Sequence, residues 1–295
     1  MFSIFGVPAP LLFGQLLLGI INGAFYAMLS LGLAIIFGML NIINFAHGAF
    51  FMMGAFAAWM LLSYAGIGYW PALILSPIIV GIIGVILEKT LISRLYKLDH
   101  LYGLLLTFGL ALVIEGVFRN AYGSSGLPYR IPPVLAGATN LGFMFLPNYR
   151  AWVVGAALFV CLATWAIIEK TSLGATLRAA TENAPLVQAF GVNVPRLITL
   201  TFGGGIALAA LAGVLAAPIY SVNPNMGSNF INTVFAVVVI GGMGSIMGSI
   251  VTGFALGIIE GLTKVFYPPG SATVVFVIMV IILLVRPRGL FGKAA

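Results

Sequence analysis

Reactive side chains are scarce in this chain, and their spacing excludes most chemistry. The two histidines, His47 and His100, form no HExxH run, so a zinc protease is excluded. Asp99 is the sole aspartate, which rules out a paired-aspartate site. No GxxxxGKS/T run is present to cradle a phosphate, so any ATP chemistry belongs to another polypeptide. Gly123-Ser124-Ser125-Gly126 has the form of a GxSG nucleophile segment, but it lies in a loop and no histidine follows it. No catalytic residue, metal site or cofactor is expected.

The remaining polar residues form four groups. Asn41, Asn44 and His47 share the run NIINFAHG (41–48). Polar groups at membrane depth are costly unless paired, and helix interruptions there face protein or a water-filled cavity. These three therefore read in one of two ways. They are polar contacts on a translocation path flanked by Phe45, Phe50 and Phe51, or amides that cap a helix break beside a hydrogen-bonded His47. Glu115 and Arg119, and likewise Glu260 and Lys264, stand four apart; a carboxylate within a span marks a pathway by default, but both pairs lie near segment ends, where a satisfied ion pair is the expected arrangement. The fourth group is the long polar stretch 169–196. Thr171 or Ser172 can cap a short helix with Leu173, Leu177 and Ala180 on one side and Arg178 and Glu182 on its surface. Asn183 ends it, Pro185 suits the first turn of a second piece carrying Leu186, Val187 and Phe190, and Gly191 terminates that piece. Two short amphipathic helices make a rigid knob, because their apolar sides need something to pack on.

These groups sit in a chain built for hydrocarbon. Of 295 residues, 62% are hydrophobic and 6% charged, against roughly 25% charged in a soluble domain. Residues 1–87 hold no Asp, Glu, Lys or Arg, and Met1 is followed by no basic region, so the first apolar segment is read as retained. The net charge of +7 forms no stripe, which argues against nucleic acid as a partner. Strand alternation is absent, which argues against a transmembrane barrel. Cys161 lies in an apolar run and is expected to pack.

The spacing predicts an all-α polytopic membrane protein, one transmembrane domain over 1–295 with roughly eight to ten transmembrane helices. The first apolar segment, Leu11 to Met39, would span roughly 43 Å as a straight helix. It must tilt or break, with the break near Met39–Gly48. Further segments follow at 46–63, 71–87, 101–119, 151–168, 197–218, 231–246, 247–264 and 273–285. The 121–149 loop carries Pro128, Pro132, Pro133 and Pro147. If 169–196 is cytoplasmic, Lys89, Arg94, Lys97, Lys170, Arg178, Arg196, Arg286, Arg288 and Lys293 lie inside, against Arg119, Arg130, Arg150 and Lys264 outside. The positive-inside rule favours that orientation, which also puts the C-terminus in the cytoplasm. Glycine-rich runs such as 203–213 and 241–257 suit close helix packing or a conduit lined by bare backbone.

Two blocks carry a family resemblance. Residues 22–58, including NFAHG, resemble the first block of LivH-type permeases of the branched-chain amino acid ABC transporter family, and 171–218, with RAATEN, resembles that family's coupling block. The resemblance implies a multi-pass permease of a bacterial inner membrane, in contact with lipid. Its implied partners are a second, LivM-type permease, two cytoplasmic ATP-binding subunits and a periplasmic substrate-binding protein. It also implies that 169–196 is the cytoplasmic coupling loop, with Arg178, Glu182, Leu186 and Phe190 as ATPase contacts. The 121–149 loop, bearing Tyr122, Tyr129, Phe143 and Phe145, becomes the periplasmic docking surface. Urea, short-amide and aromatic-acid importers share these motifs. A passive channel or a membrane scaffold remains the reading from other classes.

Overall fold

The computed structural model describes residues 3–4, 7–40, 43–96 and 98–292. Its helices are α1 (Ala9–Leu40), α2 (His47–Ala65), α3 (Tyr69–Thr90), α4 (His100–Tyr122), α5 (Asn148–Lys170), α6 (Ser172–Glu182), α7 (Ala184–Ala189), α8 (Val194–Tyr220), α9 (Met226–Gly241), α10 (Ile246–Phe266) and α11 (Val274–Val285). Seven of them are long and apolar enough to cross a membrane, and α9 and α11 are shorter apolar helices. The fold is all-α and polytopic, and each apolar segment expected from the sequence is a helix. The break after the first segment falls where the polar run begins: α1 ends at Leu40 and α2 starts at His47. Sheet among the described residues is limited to two-stranded ribbons, of which Ala138–Asn140 with Phe145–Pro147 is the larger.

The chain forms two compact units, Met1–Ser30 with Ile131–Cys161 and Thr233–Ala295, and Leu31–Arg130 with Leu162–Asn232. In the first, α1 and α10 meet backbone to backbone. A methyl on Gly19 would stand 2.6 Å from the Gly257 carbonyl oxygen, and one on Gly253 would stand 2.6 Å from Ala27 Cα. Tyr26 donates to Glu260 Oε2 at 2.7 Å, and Lys264 pairs with Glu260 Oε1 at 2.6 Å, so the expected Glu260–Lys264 ion pair forms and gains a third member. Between α9 and α10 the chain reverses through Gly242 and Gly244, both at positive φ, and Ser245 caps α10 by accepting from Gly248 N at 3.1 Å.

The second unit is organised on α2 and α8. A side chain on Gly54 would collide with the Ala210 carbonyl, and one on Gly213 with the Phe51 carbonyl. Phe50, Phe51, Phe56 and Phe202 fill the space around this seam and are fully buried. Gly81 and Gly84 bring α3 onto Ala207 and Ile206 of α8, and Gly48 and Gly227 bring α2 onto α9 in the same manner. Such seams suit lipid, where helices associate through shape rather than the hydrophobic effect. The outward side chains of α4, among them Leu105, Val113 and Val117, are apolar and exposed, as a hydrocarbon-facing helix requires.

Adding bulk at the α2–α8 seam forces the helices apart, which by analogy with overpacked cores costs about 1–3 kcal/mol. Gly54→Leu in detergent should therefore melt at least several degrees below the parent, as read by fluorescence-detected size exclusion. Gly109→Leu on α4, where a side chain would meet nothing within 4 Å, should melt with the parent.

Candidate functional site

The polar stretch 169–196 folds as a knob. Asn183 ends α6, and its Oδ1 accepts from Leu186 N at 3.0 Å to start α7; Asn193 Oδ1 accepts from Arg196 N at 3.1 Å to start α8. Pro185 lies in the first turn of α7, and Gly191 follows that helix at φ 85°. Thr171 precedes α6, but its hydroxyl bonds back to Ile167 O at 2.5 Å instead of capping. Ala180, Val187 and Val194 form a small core backed by Ala184, Val192, Leu197 and Ile198. Leu177 and Ala180 are buried as expected, whereas Leu173 is 47% exposed. Its place against α5 is taken by Gly174, where any side chain would collide with the Ile168 carbonyl.

Glu182 is exposed, Leu186 is 53% exposed and Phe190 80% exposed, so three of the four expected contact residues lie on the open surface of the knob. Arg178 turns back toward α5, donating to Ile168 O at 2.9 Å and pairing with Glu169 at 3.4 Å rather than with Glu182.

Beneath the knob sits a carboxylate that the sequence did not single out. Glu88 is 2% exposed; its Oε1 accepts from Tyr96 at 2.5 Å and its Oε2 from Thr199 at 2.7 Å. It ties the end of α3 to the 3-10 turn Ile92–Leu95 and to the start of α8. A cavity of about 400 Å³ opens beside it, bounded by Tyr96, Gln188, Arg196 and Thr199 among others. Burial, and then the bond to Glu88, raise the Tyr96 phenol well above its usual value, so it stays a donor at physiological pH.

At the helix break, Asn44 and His47 are fully buried. The Asn44 amide meets no hydrogen-bond partner among the described residues, so the expectation that the amides cap backbone groups fails at this residue. The His47 ring lies against Gly32 of α1, near Gly205 of α8. Asn41 lies outside the described residues. Neighbouring Phe45 reaches a cleft of about 190 Å³ in the second unit, whose walls come from α2, α4 and α9 and include Gly48, Phe108, Leu112, Glu115, Gly227, Ser228, Ile231 and Asn232. Neither Asn44 nor His47 lines it. The expected Glu115–Arg119 ion pair does not form: Arg119 Nη2 donates instead to Asn225 Oδ1 at 2.7 Å, and no cation stands within 4 Å of Glu115 among the described residues. The partner that won lies 106 residues away in sequence, out of reach of a helical-spacing argument.

In the 121–149 loop, Phe145 is 68% exposed and Phe143 37%. Tyr122 belongs instead to α4, packed edge-on against Trp59, and Tyr129 is buried with its hydroxyl unpartnered among the described residues.

A family described as "Branched-chain amino acid transport system / permease component" matches residues 15–285. The chain belongs to that family. It is 28% identical to the high-affinity branched-chain amino acid transport system permease protein LivH of Escherichia coli K12, over 95% of each chain, and equally to BraD of Pseudomonas aeruginosa over the same shares. It is 24% identical to LivM of Salmonella typhimurium, covering 90% of this chain and 67% of that one. No solved structure matches. This member of the permease family is a multi-pass transport subunit, not an enzyme.

Two outcomes follow from the geometry. Glu88→Ala strands the buried Thr199 hydroxyl and the half-buried Tyr96 hydroxyl and should cost about 2–4 kcal/mol, against about 1 kcal/mol for Tyr96→Phe. Limited proteolysis within 171–196 should rise in the same order. Tyr129 is pushed up to about 12 by burial and then by nearby Tyr69. An unfolded tyrosine ionises near about 10, so the neutral phenol stabilises fully below that pH and its contribution is lost as pH rises from about 10 to about 12. Tyr129→Phe should remove this late component from the tyrosinate absorbance titration and leave stability at neutral pH equal or higher, because the lost hydroxyl had no partner.

Proposed function

We propose that this permease carries branched-chain or other apolar amino acids inward across a cell inner membrane, as half of a pair with a LivM-type permease. Two cytoplasmic ATP-binding subunits drive it, and a substrate-binding protein loads it at the 121–149 loop, where Phe145 is exposed. The observation that carries this reading is the knob. A folded element with its own core displays Phe190 and Leu186 to solvent, which a channel acting alone has no use for. The excess of Lys and Arg that accompanies the knob side of the chain supports a cytoplasmic location for it and for the C-terminus. Membership of a branched-chain amino acid permease family supports the substrate class.

In this reading α6 and α7 sit in a cleft on an ATPase, with Glu182, Leu186 and Phe190 as contacts and Arg178 bracing them from behind. Nucleotide-driven motion then enters α5 and α8 directly, since both join the knob, and reaches α3 through Glu88. A stiff lever acting on bistable packed helices is what alternating access requires. The passage runs beside the helix break, with Asn41, Asn44 and His47 keeping that region polar.

Leu186→Asp combined with Phe190→Asp should lower uptake at least about tenfold, a loss of about 1.4 kcal/mol or more in coupling. The permease should remain in the membrane at parental level while its ATP-binding partners no longer co-purify. Uptake at the parental rate would remove the proposed drive.

A further inference from the structure

Glu115 is 8% exposed and stands in α4 about 22 Å along the helix from His100, at membrane depth. A carboxylate at such depth calls for a counter-charge or a water-filled cavity, and no cation lies within 4 Å of it among the described residues. Arg119, one turn further on, donates to Asn225, and although its charge still reaches Glu115 the direct contact of the carboxylate is the Ser228 hydroxyl, which leaves it without a paired cation. The cleft that Glu115 faces divides by chemistry. Glu115, Ser228 and Asn232 supply a carboxylate, a hydroxyl and an amide, while Phe45, Phe108 and Ile231 supply rings and a branched side chain. Phe45 and Phe108 meet edge to face at 6.1 Å, which fixes the apolar wall. At about 190 Å³ the space is that of about six water molecules, on the scale of one small apolar amino acid and far below a peptide. All of these residues belong to the second unit.

We infer that this cleft is an intramembrane site for an apolar α-amino acid, with Glu115 receiving its ammonium group. The inference rests on the importer reading for the direction of travel: with the knob cytoplasmic, Glu115 lies in the outer half of α4, on the side from which substrate arrives. It also deepens that reading by separating substrate classes. Urea, short neutral amides and aromatic acids carry no cation to match the carboxylate, whereas an aliphatic amino acid matches both walls. Small size and one carboxylate suit a transient stop, since a site on a conduit must release what it binds.

The test places one thiol in the cleft of the full chain, using Ser228→Cys with Cys161→Ala, in phosphatidylcholine vesicles. A cationic methanethiosulfonate should label it severalfold faster than a neutral one. L-Leucine and isoamylamine should slow labelling, and isocaproic acid, which lacks the nitrogen, should not. Glu115→Gln should abolish both the cationic preference and the protection, and Glu115→Asp should retain them in part. In cells carrying the whole transporter, Glu115→Gln should lower leucine uptake about tenfold or more at unchanged membrane level. Labelling indifferent to leucine, or unchanged by Glu115→Gln, overturns the assignment. A phosphatidylethanolamine headgroup bears the same ammonium, so protection by that lipid without protection by leucine also overturns it. Should leucine uptake not depend on this chain, the importer reading falls, while the labelling arm still decides the cleft.

Discussion

Helix backbones touch in this permease at facing glycines such as Gly54 and Gly213, Gly48 and Gly227, and Gly19 and Gly257, and the rest of the structure depends on those contacts. In lipid no hydrophobic force drives one apolar helix against another, so association rests on close approach and dispersion. The α2–α8 seam at Gly54 and Gly213 sets the frame of the second unit. From it, Gly81 and Gly84 position α3, whose end carries Glu88 to the foot of the knob. Gly48 and Gly227 position α9 against α2, and the residues beside them wall the cleft at Glu115. Knob and cleft are thus placed by one set of glycine contacts, which is a physical route for motion at one to be felt at the other.

Of the four carboxylates on the long apolar helices, Glu169 pairs with Arg178 at the knob, and the other three meet three different fates. Glu260 is neutralised by Lys264 and bridged to Tyr26, and serves packing in the first unit. Glu88 has no cation within 4 Å among the described residues but is satisfied by two hydroxyls, which lets it act as a staple. Glu115 has no cation within 4 Å among the described residues and bonds to the single hydroxyl of Ser228, and it alone of the three faces the cleft that Phe45 and Phe108 enclose. A protein with 6% charged residues keeps few such groups, and their different surroundings separate scaffold from candidate site.

The knob combines stiffness with an unfinished surface. Side-chain caps at Asn183 and Asn193 and the small core around Val187 hold its two helices in one shape. Arg178 locks that shape to the end of α5, so a push on the exposed face is not absorbed by a hinge at residue 171. Phe190, at 80% exposure, is among the most open apolar side chains of the described chain, and a partner surface is the economical explanation for it.

What the sequence by itself determined was much of what depends on neighbours a few residues apart. The positions of the apolar helices, the break before His47, the Asn183 and Pro185 signals and the Glu260–Lys264 pair were legible because hydrophobic run length, capping and helical spacing are local. The motifs NFAHG and RAATEN were enough to point to the family. Only the tertiary structure decided that Arg119 abandons Glu115 for Asn225, that Leu173 turns outward because Gly174 must lie on α5, that Tyr129 is buried, and that Glu88 is a staple. The distant partners in these cases, 106 residues apart for Arg119 and 111 for Thr199 with Glu88, leave no periodic trace. A side chain that can satisfy its charge either along its own helix or across to another takes whichever acceptor the packed backbones bring closer, and that choice is made only when the chain folds.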